Sequence, residues 1–291
     1  MEHRAIGIIR ATGCAAVVCA LNLSFAPARA QDPSPIRLGQ GEVTVVPYQA
    51  EGATEIRGRF NGRPVEFFST AQPGTWHALF GADLDDPPGL RDLIVELRAA
   101  SADRIVRLPI EVRAVGFGTQ ALTLPKRMVD LDAKTLARVT AEQARVSSVL
   151  AEIHPERLWR GPFLTPTEGQ ITGTFGMRRL LNGQPRNPHS GEDIVAPKGT
   201  PVLAAHNGIV RLADDHFFSG KSVILDHGSG LFTLYFHLNE SGVREGAAVK
   251  RGEIIGKVGA SGRVTGPHLH WGAVLAGARV NPLGLLSLPP E

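Results

Sequence analysis

Gly266-Pro267-His268-Leu269-His270-Trp271 is the stretch around which the rest of the chain can be organised. It has the texture of the start of a strand. Side chains alternate between faces along a strand, so His268 and His270 point one way and Leu269 and Trp271 the other. Two imidazoles on one face, backed by apolar residues on the other, suit a metal-bearing cleft. An H-x-H pair alone fits two surface histidines equally well. Three upstream features shift the balance: His189-Ser-Gly-Glu-Asp193, Tyr235-Phe-His237, and the glycine-rich strands between them.

The chain has 291 residues, enough for one large domain or two ordinary ones. Residues 1–30 have the form of an export leader. Arg4 and Arg10 flank a charged start, Ala11 to Phe25 is apolar, and Ala28-Arg29-Ala30 is a small-x-small cleavage site. The apolar run is too short to span a membrane, so no membrane span is expected after cleavage. Cys14 and Cys19 would leave with the leader. Neither has a convincing lipoprotein box, and an exported chain without cysteines relies on its core instead of disulfides. The leader carries three arginines and one glutamate, so its removal takes the net charge from +3 to +1. No basic helix or aromatic-basic surface appears, which excludes nucleic acid as a partner.

Residues 31–125 read as β. Glu55-Ile-Arg-Gly-Arg-Phe60 leads into Asn61-Gly62, a strong short-range hairpin signal, and Pro64-Val-Glu-Phe-Phe68 resumes beyond it. Arg91 to Arg98 and Arg104 to Val112 are two further strands. About seven short strands separated by turn clusters predict a small antiparallel sandwich, immunoglobulin-like in layout. Trp76 and His77 sit beside a turn and read as structural. Residues 126–160 form a linker whose helix runs from Asp132, a suitable N-cap, to about Glu152. Leu136, Val139, Val146, Val149 and Leu150 share one stripe, expected to pack on a neighbouring domain, and Lys134, Arg138, Glu142 and Arg145 lie opposite.

Residues 161–291 consist of short strands punctuated by glycine, with little room for helix. They include Ile171 to Phe175, Pro201 to Ala205, Lys221 to His227, Leu231 to His237 and His268 to Val274. This is an all-β domain with glycines at bends and close approaches. A catalytic zinc takes three protein ligands and a water. His189, Asp193 and the His268/His270 pair are the suitable donors. Gly191, between His189 and Asp193, disfavours a helix and suits a sharp loop, and the helical H-E-x-x-H pattern is absent.

Asn187-Pro-His-Ser-Gly-Glu-Asp193-Ile-Val-Ala-Pro-Lys-Gly-Thr-Pro-Val202 resembles the first zinc motif of the lysostaphin/LytM-type metalloendopeptidases. Val223-Ile-Leu-Asp-His-Gly228, Thr233-Leu-Tyr-Phe-His-Leu238 and Gly259 to Trp271 follow in the family's order, so the resemblance covers roughly residues 165–285. It implies that His189, Asp193 and His270 bind one Zn²⁺ and that His237 and His268 are the catalytic pair, His268 being the better candidate for general base. It further implies peptidoglycan peptide stems as substrate and a periplasmic or extracellular location in the cell envelope. Degenerate relatives lack metal ligands and only activate a cell-wall amidase or serve the division machinery, so such a regulator, or a latent enzyme, is the alternative. Here every ligand position is filled. Of the other histidines, His227 reads as structural support, and His154, His206 and His216 as surface or loop. Tyr235 shares a strand face with His237 and packs there or borders the groove. Arg178 and Arg179 lie near the site and could grip a carboxylate.

Overall fold

The computed structural model describes residues 34–100 and 102–290. The expected leader, with Cys14 and Cys19, lies outside them. Strands β1 (Ile36–Gly39), β2 (Val43–Gln49), β3 (Ala53–Phe60), β4 (Arg63–Ser69), β5 (Thr75–Gly81), β6 (Gly89–Ala99) and β7 (Arg104–Arg113) are ordered β1-β7-β6-β3-β4-β5-β2. Asn61 and Gly62 both take positive φ, 47° and 79°, as the tight hairpin turn between β3 and β4 demands. The first half of β4 pairs with β3 and its second half with β5, so this strand joins the two halves of the sandwich. Leu38, Ile56, Phe60, Phe80, Leu93 and Ile110 fill the core between them. One pairing is not antiparallel: β1 runs parallel to β7, with Leu38 beside Val112. It departs because β2 pairs with β5, not with β1, so the pair is closed by the fold and not by a hairpin. Trp76 and His77, read as beside a turn, lie within β5.

Beyond the sandwich come β8 (Thr119–Leu122), helix α1 (Ala133–Ala151), β9 (Gln170–Ile171) and the hairpin of β10 (Arg178–Leu181) and β11 (Gln184–Arg186). Asp132 caps α1, its Oδ1 accepting from Thr135 N at 2.7 Å. Val146, Val149 and Leu150 pack on a cluster of Leu212, Ile224, Phe232, Leu234 and Val274, and Val139 is buried. Leu136 departs from the stripe and is 55% exposed. The opposite face is not simply solvated, since Arg145 reaches Asp214 and Glu245 at 2.6 Å each. Glu142 accepts from Phe217 N at 2.9 Å.

The remaining strands are β12 (Gly191–Val195), β13 (Pro201–Leu203), β14 (Gly208–His216), β15 (Gly220–Asp226), β16 (Leu231–Ser241), β17 (Ala248–Val249), β18 (Ile254–Val258), β19 (His268–Leu275) and β20 (Ala278–Val280). Their main sheet is ordered β17-β14-β15-β16-β19-β12-β9. Of the expected 171–175 strand only Ile171 is paired, next to Gln170, because Thr174, Gly176 and Met177 turn to hold His189 instead. Trp271, Tyr235, Ile194 and Leu269 lie in the core behind the sheet, and Leu79 of the sandwich joins the same cluster. Among the described residues no helix is long and apolar enough to cross a membrane.

Candidate metal centre

The centre is set by the register of β12 against β19. Asp193 is the direct partner of His270, and Val195 of His268. Directly opposed residues of an antiparallel pair project to the same face, so Asp193 and His270 stand side by side with His268 two residues along. Leu269 and Trp271 face the core, as the alternation predicted, and both are fully buried. His189 enters from the loop before β12. Its backbone N donates to Met177 O at 2.9 Å, and its carbonyl accepts from Gly176 N at 2.8 Å.

His189 Nδ1 lies 3.1 Å from Thr174 O. A carbonyl can only accept, so Nδ1 carries the proton of the neutral ring and Nε2 is left as a donor atom for a metal. That Nε2 is 2.7 Å from His270 Nδ1 and 3.1 Å from Asp193 Oδ1, and His270 Nδ1 is itself 3.1 Å from Asp193 Oδ1. All three ligand atoms lie within 4.8 Å of one another. A tetrahedral ion with ligand bonds of about 2.0 Å separates its donors by roughly 3.3 Å. The donor set and spacing therefore fit a divalent ion. The protonation states fit too. Burial alone would raise Asp193, but the His189 and His270 rings set against it outweigh burial and hold the carboxyl well below its ordinary range. Burial pushes His270 down to about 4 against the opposing bond to Asp193. A neutral His270 and an ionised Asp193 are the forms that bind metal.

His268 and His237 flank this trio. His268 Nδ1 meets Gly266 O at 2.8 Å, and its Nε2 is 3.7 Å from Asp193 Oδ1. His237 Nδ1 meets Ser261 O at 3.0 Å, and the two rings are 4.9 Å apart. His237 has φ of 64°, a left-handed backbone that a non-glycine residue adopts at a cost, and its N donates to Ser219 O at 2.8 Å. This kink breaks the alternation of β16. Tyr235 consequently does not border the groove: it is fully buried, and its hydroxyl accepts from Ala205 N at 2.9 Å. Burial pushes His237 down to about 3, and the neighbouring His270 and His268 act the same way.

A cleft of about 70 Å³ opens over Asp193, His237 and His268. Gln120 and Leu122 of β8, which pairs in parallel with β10, and Leu124 just beyond it also line the cleft. The side-chain oxygen of Gln120 is buried there without a hydrogen-bond partner.

Several contributors escaped sequence reasoning. Glu192 is 2% exposed, and its carboxylate accepts from Thr174 N at 2.9 Å, fixing the loop whose carbonyl orients His189. Its signal was an acid on the inward face of a buried strand. Phe236 stacks on His270 at 5.4 Å and 6°. Gly191 is not at a sharp turn but within β12, where a Cβ would meet Trp271 O at 2.6 Å and His270 Nε2 at 2.7 Å. His206 and His216, expected at the surface or in loops, are both 5% exposed, His206 in the bend before β14 and His216 at the end of β14. His154 sits 2.6 Å from the buried carboxylate of Asp226. Arg178 turns away to Asp85 at 2.7 Å, whereas Arg179 lines the cleft 3.9 Å from Asp193. His227 is fully buried, with its two ring nitrogens on Asn207 O and Thr233 Oγ1, so neither is turned to the trio.

These features coincide with similarity to known proteins. The pattern of Peptidase family M23 matches residues 187–282. A crystal structure of a Pseudomonas aeruginosa protein ascribed to peptidase M23 superposes with a TM-score of 0.68 at 32% identity, covering 88% of this chain and 96% of that one. The chain belongs to peptidase family M23. It is 31% identical over 248 residues to the peptidoglycan DD-endopeptidase ShyA of Vibrio cholerae, covering 77% of this chain and 57% of ShyA. It is 43% identical over 122 residues to the DD-carboxypeptidase/endopeptidase Mpg of Neisseria meningitidis, covering 42% of this chain and 28% of Mpg. The chain thus spans about half or less of the length of these curated relatives.

Proposed function

We propose that the chain is an exported zinc endopeptidase that hydrolyses peptide cross-links of bacterial peptidoglycan. The observation that carries this reading is the convergence of His189, Asp193 and His270 within 4.8 Å beside two further histidines. The names of the relatives ShyA and Mpg support the substrate, and the form of residues 1–30 supports export. His189, Asp193 and His270 would hold the ion. When bound, it supplies Lewis acidity that polarises the scissile carbonyl and acidifies water. The backbone carbonyls of Gly266 and Ser261 take the Nδ1 protons of His268 and His237 and leave both Nε2 atoms as proton acceptors. His268 Nε2 is 3.7 Å from Asp193 Oδ1, which favours it as the general base. His237 Nε2, the second acceptor, would share the proton work.

The test is release of peptides from purified peptidoglycan by the chain, with and without chelator, read by mass. Chelator-sensitive loss of cross-linked dimers is expected. Intact dimers after digestion by chain carrying one zinc would overturn the reading. A silent amidase activator gains no support, because no ligand position is vacated. A latent enzyme does gain support from one observation: Gln120 of β8 lines the cleft. Gln120→Ala should then raise turnover severalfold, and unchanged or lower turnover would remove latency.

A further inference from the structure

Arg179 and Arg263 line both the cleft over Asp193 and a larger groove of about 850 Å³ that adjoins it, so the two form one trough. The groove is floored by apolar side chains, among them Val139, Phe218 and the exposed Leu136, and Arg186 stands in its wall. The Arg263 guanidinium is pinned over the Phe218 ring at 3.9 Å and donates to Met128 O at 3.2 Å. Arg186 bonds the carbonyls of Pro185 and Val129 at 3.0 and 3.4 Å. Among the described residues, no carboxylate lies within ion-pair distance of Arg186 or Arg263. The one near Arg179 is Asp193, at 3.9 Å, already engaged by two imidazoles. Arg179 Nε is buried without a partner.

Three guanidinium groups are thus gathered beside the metal centre without acids of their own. Burial lowers Arg263 to about 10, and the charges of Arg179 and Arg186 add to it, so the cluster strains against itself. An anion between the forks would relieve that repulsion, and a guanidinium fork matches a carboxylate in shape and charge. Backbone carbonyls hold Arg186 and Arg263 in place, so little ordering remains to be done on binding.

We propose that Arg179, Arg186 and Arg263 form a carboxylate subsite that selects an acidic peptide stem for cleavage, with the apolar floor taking an adjoining aliphatic side chain. This rests on the peptidase reading above and names its substrate class: a peptide with free carboxylates, as opposed to a bridge made of glycine alone.

The test uses two soluble cross-linked stem dimers, one with free carboxylates and one with them amidated, and the zinc-loaded chain. The ratio of kcat/KM for acid over amide should be about ten- to a hundredfold, the range for hydrogen bonds to a charged group. Arg263→Gln and Arg186→Gln should each pull that ratio towards one, mainly through KM. Arg263→Lys should fall between, since it keeps the charge and loses the fork. A ratio near one for the unaltered chain, or variants that slow both substrates equally, would overturn the subsite. Direct binding separates this from the peptidase reading. Calorimetry with an uncross-linked acidic stem and its amide should favour the acid, less so in Arg263→Gln. If neither dimer is cut yet that preference holds, the subsite stands and the peptidase reading falls. Equal binding of acid and amide overturns the subsite.

Discussion

Asp193 and His270 are direct cross-strand partners on β12 and β19, and their side chains meet at 3.1 Å. Strand register therefore sets the ligand geometry. Replacing His189, Asp193 or His270 by alanine should reduce bound zinc from one per chain to a small fraction, measured by elemental analysis after dialysis. His237→Ala and His268→Ala should keep the zinc and lose about a hundredfold or more in turnover. Loss of metal from both of the latter variants would contradict the division of roles.

Gly191 is required by the closeness of its neighbours. A methyl group there would meet a backbone carbonyl at 2.6 Å and the His270 ring at 2.7 Å, and the carbonyl cannot swing aside. Gly191→Ala should destabilise the chain by about 1–3 kcal/mol, the usual range for an overpacked site. It should also weaken zinc retention, because the displaced ring is one of the three proposed ligands. Urea unfolding and a chelator competition measure the two effects. A variant with unchanged stability and unchanged zinc affinity would show that the strands accommodate the methyl.

What could be read in advance was periodic or local. The facing of His268 and His270, the Asp132 cap and the Asn61-Gly62 hairpin each depend on a few adjacent residues. The second hairpin escaped, although Asn182-Gly183 carries the same turn signal with φ of 52° and 78°. Its flanking strands are charged and short, so no alternation announces them. Glu192 and Gly191 owe their roles to where β19 lies, through the Glu192–Trp271 and Gly191–Gly272 pairings, and Gln120 owes its place to a parallel strand pairing closed by the fold. The kink at His237 is a single torsion imposed by the Ser219 and Ser261 contacts. The meeting of His189 with His270 was legible through motif resemblance, since no local pattern joins them.

His227 makes acid stability testable. It is fully buried, with Nδ1–H donating to Asn207 O at 2.6 Å and Nε2 2.7 Å from Thr233 Oγ1. Burial is the main cause that lowers it to about 4, against 6.5 for an ordinary histidine. The native state therefore stays neutral where the unfolded chain takes up a proton. The stability it contributes is complete above pH 6.5 and falls as pH drops towards 4, by about 3 kcal/mol in all. Urea unfolding across this window should show the decline, and His227→Gln should have a shallower one. Equal slopes for the two proteins would mean that His227 titrates normally in the fold.

The sandwich is tied to the sheet bearing the metal centre by Asp83 and Arg279. Arg279 Nη2 meets Asp83 Oδ1 at 2.6 Å, its Nε meets Oδ2 at 3.0 Å, and its backbone N donates to Oδ2 at 2.8 Å. Burial would raise Asp83, but these bonds win and lower it. Arg279 is a third exposed, so water screens part of the attraction. The backbone N–H is the more sensitive member, because truncating Asp83 strips it of its acceptor. Asp83→Ala should cost roughly 1–3 kcal/mol, and Asp83→Asn less, since the amide oxygen can still accept from the backbone. Both should unfold in one transition if the shared core around Leu79 couples the halves. Two separated transitions in Asp83→Ala would show that this clasp, and not the apolar core, makes them cooperate.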